Sequence, residues 1–384
     1  MAEQVKTLDL TRFDVDSKNG FLPGAEPIAS LGSSAPSYLQ TLDELERKLP
    51  ELIENDRLRD HLNDLRIPSE GLFDTLTERE LYYIYSSTGF LANASVQGRD
   101  STDADTIPAS VAVPLYETTS RLGCTPVLSY DAYVLHNWMQ TDRHGGMTPR
   151  DIQPVTTFTG LEDERWFIAI HVAIESAAGP AIAAIGDAQQ GIREHDSTRV
   201  SRTLRVMTDS ICDVTEILQR MPERNDPEVY GQSFRPYLGS LTDVHFEGVS
   251  ELDGPQSFRG ASGAQSSLFP ALDAALGIDH GDNPLASHLR TLRKDMPPAH
   301  RTFIETIEEG PNLHDFVENT DDDDLREAYD ECIDRMITFR ERHIEVVEKY
   351  LTSKLDDSEG TGGTPYNRYL GAFIDDTQQC KLSS

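Results

Sequence analysis

Of the eleven histidines in the chain, His343 is the one that periodicity aims inward. It lies in Leu325 to Leu355, LREAYDECIDRMITFRERHIEVVEKYLTSKL, a stretch free of Gly and Pro that predicts one long helix. Cys332, Ile333, Met336, Ile337, Ile344, Val347, Tyr350 and Leu351 recur at three- and four-residue steps and mark a buried stripe. His343 falls on that stripe, while Glu341, Glu345 and Glu348 fall elsewhere. An inward neutral imidazole can bind a metal or haem iron, or it can be a hydrogen-bonded core residue, and spacing alone leaves both open. His171 and Glu175 form a second candidate, four residues apart on one face of the apolar stretch Trp166 to Ile185. That spacing suits a metal, but no third ligand stands near it, and a core histidine bonded to Glu175 is the plainer reading. GTGGT, Gly360 to Thr364, superficially suggests a phosphate cradle, yet acidic residues precede it and no buried strand leads in, so a mobile lid is expected. No P-loop, dinucleotide fingerprint or HExxH motif occurs. Cys124, Cys212, Cys332 and Cys380 are scattered, which excludes a zinc finger or a disulfide framework.

The elements that must position these residues read as helices. Apolar spacing from Tyr38 to Leu65 predicts two helices broken near Pro50, and a third follows from Leu72 to Leu91 with Thr77 as its N-cap. Pro126 is expected to start a helix carrying Tyr130, Tyr133, Val134 and Asn137 along one side. Trp166 to Ile185 is apolar nearly all round and rich in Ala, the mark of a buried helix that a flat group can approach closely, with a kink or restart at Pro180. Thr198 to Leu218 is amphipathic, Gly260 to Gly277 is a Gly/Ser loop turning into an apolar helix, and Asp321 to Asp324 suit the positive end of the helix that follows. No strand succession is expected. The fold class is all-α, with a small N-terminal helical domain over residues 1–156 and a larger helical domain over 157–384, the lid at about 352–364. Acidic residues number 66 against 34 basic, a net charge of −32 that repels nucleic acid. Only seven of the basic residues are Lys, a balance found in proteins adapted to high salt. No signal peptide and no bilayer-spanning run of about 18 purely apolar residues is read, so the expectation is a cytoplasmic protein away from membranes.

Eight segments occur together in one order: KLPELIENDRLRDHL (Lys48 to Leu62), VLSYDAYVLHNW (Val127 to Trp138), FRPYL (Phe234 to Leu238), ASGAQSSLFPALDAALGI (Ala261 to Ile278), MPPAHRTF (Met296 to Phe303), LREAYDECI (Leu325 to Ile333), RHIEVVEKYL (Arg342 to Leu351) and GTGGT. Together they make the chain resemble the indoleamine 2,3-dioxygenase family of haem enzymes. The resemblance implies haem b as cofactor and His343 as its proximal iron ligand. It implies that Arg235 grips an amino-acid carboxylate, for which a planar guanidinium is suited. It places Tyr130, Tyr133, Phe167 and Tyr230 around an indole ring, Ser262 and Gly263 along the haem edge and substrate, and Thr361 in the lid. L-tryptophan and O2 are then the reactants, N-formylkynurenine is the product, and a monomer reduced by an unidentified electron donor is expected. Two departures stand out. Tyr133 and Tyr230 occupy positions that are smaller or lack the hydroxyl in the animal enzymes, and His171 takes the distal position of a serine there. A distal histidine resembles the related tryptophan 2,3-dioxygenases, in which it bonds the indole N–H. It also leaves open a non-catalytic O2 carrier, or a redox or sensor protein with His171 and His343 both on iron.

Overall fold

The computed structural model describes residues 8–98, 105–142, 145–281, 284–352 and 370–382. The chain is predominantly helical. In order come α1 (Ser37–Glu54), α2 (Leu58–Asp64), α3 (Glu78–Gln97), α4 (Ala109–Leu122), α5 (Glu162–Glu194), α6 (Ser197–Gln219), the single turn α7 (Pro227–Val229), α8 (Leu268–Leu276), α9 (Pro284–Leu292), α10 (Pro298–Glu308), α11 (Leu313–Glu318), α12 (Asp323–Val347) and α13 (Leu370–Gln379). Thr77 caps α3 as expected, in a reciprocal pair with Glu80. At the head of α12, Asp322 accepts from the Leu325 N–H.

Several expectations need correction. Pro50 does not break α1, which runs on to Glu54, and the break falls at Asn55 to Arg57 instead. Pro180 does not restart the helix but stays inside a continuous 33-residue α5. In both places the packing of a buried face outweighs one lost backbone bond. Strands do occur: β1 (Thr106–Ile107) pairs parallel with β4 (Leu241–Phe246), β4 pairs antiparallel with β5 (Gln256–Phe258), and β2 (Met139–Gln140) pairs with β3 (Ile152–Gln153). They are two to six residues long, too short for an alternating pattern to register.

Buried side chains gather in two cores, and α5 is the wall between them. Ile168, Ala169, Val172 and Ala173 face the first core with α1, α3 and α4, while Trp166, Ile170, Ile174 and Ile182 face the second with α6, α8, α10 and α12. α5 is long and apolar enough to cross a membrane, contrary to the expectation of no such run, yet 72% of its apolar window is buried within the protein. The N-terminal arm belongs with the second core, where Phe13 and Phe21 pack on Phe303. The arm crosses α5 at Gly179, where a Cβ would stand 2.2 Å from the Lys18 carbonyl oxygen.

Candidate active site

Elements from different parts of the chain build the site, α5 first among them. Phe167, His171 and Glu175 follow one another at four-residue steps, so they line one face of it. His171 Nδ1 lies 2.8 Å from the Phe167 carbonyl oxygen. A carbonyl only accepts, so Nδ1 carries the proton and Nε2 keeps its lone pair. Burial lowers the His171 pKa and holds the ring neutral. The expected His171–Glu175 bond is absent, because the backbone carbonyl one turn earlier has taken the proton. Glu175 instead accepts at Oε1 from the Tyr130 hydroxyl at 2.9 Å and the Ser266 hydroxyl at 2.6 Å.

The second element is the turn that carries Tyr130 and Tyr133. It is not the regular helix expected after Pro126. The His136 N–H donates to the Asp131 carbonyl five residues back, a widened π-turn over Asp131–Leu135. Tyr130 meets the His171 ring edge-on at 6.1 Å between centroids, and Tyr133 lies 6.4 Å from Phe167. The Tyr133 hydroxyl is 3.5 Å from Glu164, whose pKa burial raises.

A second π-turn, Tyr230–Phe234, follows α7, and the Arg235 N–H closes it onto the Tyr230 carbonyl. Tyr230 and Phe234 lie 5.3 and 5.6 Å from Phe167. Phe234 is anchored in the second core, whereas Tyr237 and Leu238 are anchored in the first. Arg235 therefore stands half-buried on the seam between them. The Ser262 to Ser266 loop completes this side. Gln265 Oε1 accepts from the backbone N–H of Tyr130 at 2.9 Å and of Ser262 at 3.2 Å. Gly263 is exposed, with nothing within 4 Å of where a Cβ would be.

His343 enters from α12, half-buried one turn before that helix gives way to a π-turn at Glu348–Thr352. Its ring lies nearly parallel to Phe339 at 5.8 Å, and Phe339 stacks on Phe269 at 4.0 Å. Among the described residues nothing hydrogen-bonds its ring nitrogens. Burial, then the neighbouring His171 and Arg340 charges, lower its pKa to about 4. An imidazole kept neutral, stripped of partners and aligned by aromatic rings is ready to ligate.

Nine of the ten predicted site residues thus lie in the described structure, and ring contacts bring Tyr130, Tyr133, Phe167, His171 and Tyr230 together on the α5 face, while His343 stands on α12 beside Phe339. Thr361 lies outside the described residues. Sequence reasoning missed Gln265, Phe234, Ser266 and Tyr350, whose hydroxyl bonds the Asn225 carbonyl at 2.6 Å and whose ring meets Tyr230 at 5.7 Å. Only the apolar face of α5 and the stripe of α12 carry a periodic signal. Among the described residues there is no cluster of three or more His, Cys, Asp or Glu fit to hold a bare metal ion.

Residues 9–363 match the family profile "Indoleamine 2,3-dioxygenase". The indoleamine 2,3-dioxygenase 1 of Rattus norvegicus is 30% identical over 400 residues, covering 97% of this chain and 96% of the relative. That of Mus musculus is 31% identical over 363 residues, covering 88% of each. A 6-hydroxytryptophan 2,3-dioxygenase of Fusarium equiseti is 29% identical over 407 residues, covering 98% of each. A match that spans nearly the whole chain, on a predominantly helical fold, shows that the chain belongs to the indoleamine 2,3-dioxygenases, a family of oxidoreductases that act as haem dioxygenases on indoles.

Proposed function

We propose that this protein binds haem b through His343 and adds both atoms of O2 across the indole C2=C3 bond of L-tryptophan or a related indoleamine, giving N-formylkynurenine and so opening the kynurenine route. The observations that support the reading are an imidazole, His343, with no hydrogen-bond partner among the described residues, and a slot of aromatic rings around His171. The residues present fit haem: His343 offers a free lone pair, the open Gly263 position leaves room for a flat ring edge, and the Phe269–Phe339 stack makes an apolar wall. When bound, haem supplies the one-electron chemistry that lets O2 react with a closed-shell alkene.

The chain's own residues do the rest. Arg235, on the seam, holds the amino-acid carboxylate by a bidentate pair. Tyr130, Phe167 and Tyr230 sandwich the indole ring in apolar surroundings that keep water out. With its proton committed to the Phe167 carbonyl, His171 presents Nε2 as an acceptor for the indole N–H. It orients the substrate, and it is not required to remove the proton. Ser262 and Gly263 line the edge of the site. The hydroxyls of Tyr133 and Tyr230 narrow the slot relative to a smaller or non-hydroxylated residue, and they make hydroxylated tryptophans further candidate substrates. We read the protein as a cytoplasmic monomer that draws electrons from a separate reductant.

The test is an anaerobic optical spectrum of the reduced holoprotein with L-tryptophan, followed by admission of O2. A five-coordinate spectrum that gives way to the near-ultraviolet band of N-formylkynurenine supports the reading. A lasting oxygen complex without product, or a six-coordinate spectrum throughout, overturns it in favour of an O2 carrier or a protein with both His171 and His343 on iron. In the same assay His343→Ala is expected to lose haem retention, read as the ratio of Soret to protein absorbance. An active, haem-loaded variant would remove the ligand assignment.

A further inference from the structure

Glu175 is 1% exposed, and its Oε2 has no hydrogen-bond partner among the described residues. Leaving a polar atom buried and unmatched costs about 1 to 3 kcal/mol, so its retention invites a reason. Both hydroxyls that reach Glu175 converge on Oε1: Tyr130 comes from the π-turn at the first core, and Ser266 from the loop after β5. The same loop also holds the Tyr130 backbone through Gln265 Oε1, whose side-chain Nε2 in turn donates to the Gly260 carbonyl at 3.1 Å. Tyr130 is thus fastened twice to one loop, once by its backbone and once by its side chain. Only the side-chain tie fixes where its ring stands.

We propose that Glu175 is a positioning residue of the indole slot: through Oε1 it clamps Tyr130 to Ser266, and so sets the distance between the Tyr130 ring and His171. This deepens the proposed function and rests on it, because the slot so adjusted is the one assigned to indole. The clamp uses Glu175 as a neutral acceptor. Burial raises its pKa toward the neutral acid, whose proton would sit on the unmatched Oε2. A glutamine has the same shape and the same acceptor at Oε1. It therefore reproduces the clamp, whereas it could not reproduce a charge or a transferable proton.

The experiment titrates the ferric holoprotein with L-tryptophan and follows the Soret band. Glu175→Leu, which removes the acceptor, is expected to raise Kd at least tenfold, and Glu175→Gln to restore it to within about threefold. In a Tyr130→Phe background, Glu175→Leu should add less than threefold, because the clamp has already been cut. A Kd unchanged in Glu175→Leu overturns the proposal. So does a Glu175→Gln variant as impaired as Glu175→Leu, which would assign the residue to charge or proton transfer. If Glu175→Leu fails to fold, Tyr130→Phe combined with Ser266→Ala must show the same rise, and wild-type affinity there overturns the clamp. If the wild-type holoprotein takes up no indole, the function reading falls instead. The clamp is then decided by amide hydrogen exchange of residues 260–266, which must quicken in Glu175→Leu and not in Glu175→Gln.

Discussion

Arg235 shows what one side chain gains from its address. A guanidinium on the seam between two cores is partly stripped of water, so a carboxylate placed against it meets less screening than on an open surface. Arg235→Ala is expected to weaken L-tryptophan binding by about 2 to 4 kcal/mol, the usual loss when a desolvated charged pair is broken. A Michaelis constant unchanged from wild type would remove the anchoring role. His300 gives a different residue-scale expectation. It is 3% exposed, leans on the Phe21 ring at 4.6 Å, and burial pulls its pKa from 6.5 to about 4. Between those values the unfolded chain takes up a proton that the folded chain refuses, so the His300 contribution to stability rises with pH from about 4 to 6.5. The window is worth about 3 kcal/mol at one pKa unit per 1.36 kcal/mol. Buried Glu46, Glu164 and Glu175 are raised instead and pull the opposite way, losing stability as pH climbs above the usual carboxylate range. The check is therefore a difference: urea unfolding of wild type and His300→Phe from pH 4 to 7, in which only wild type should carry the His300 slope.

At the scale of elements, α5 and α12 were legible and the turns were not. α12 announces itself through a stripe of apolar residues that carries His343, and α5 through an Ala-rich run that is apolar nearly all round and sets His171 and Glu175 on one face. The π-turns at Asp131–Leu135 and Tyr230–Phe234 widen the backbone by a single residue, which leaves no periodic trace, yet they set the direction of Tyr130, Tyr133 and Tyr230. Arg235 was legible through its matching motif alone, since its placement depends on Phe234 and Tyr237 reaching opposite cores. The crossing of the N-terminal arm over α5 was also hidden, because it is a long-range contact made by a glycine. It gives an element-scale prediction. Gly179→Ala would drive a methyl into the Lys18 carbonyl, so either the arm or α5 must shift. A loss of about 1 to 3 kcal/mol is expected, read by chemical unfolding. Unaltered stability would mean that the arm is not held there.

Across the whole molecule, charge is the dominant fact. A net charge of −32 on 384 residues sets like charges against one another in the compact state, and salt screens that repulsion. The scarcity of Lys, seven of the 34 basic residues, sharpens the expectation. The thermal midpoint and the turnover rate should both rise as potassium chloride is raised from tens of millimolar toward molar. Stability and activity independent of salt would return the composition to that of an ordinary acidic protein.

The wall formed by α5 bears on how this chain could be dissected. A cut between residues 156 and 157 would leave the first core without Ile168, Ala169, Val172 and Ala173, and without Tyr237 and Leu238 farther along. The second would lose Phe13 and Phe21 from the arm. Each fragment would then lack side chains that the other contributes to its interior, and neither is expected to keep its full stability when expressed alone.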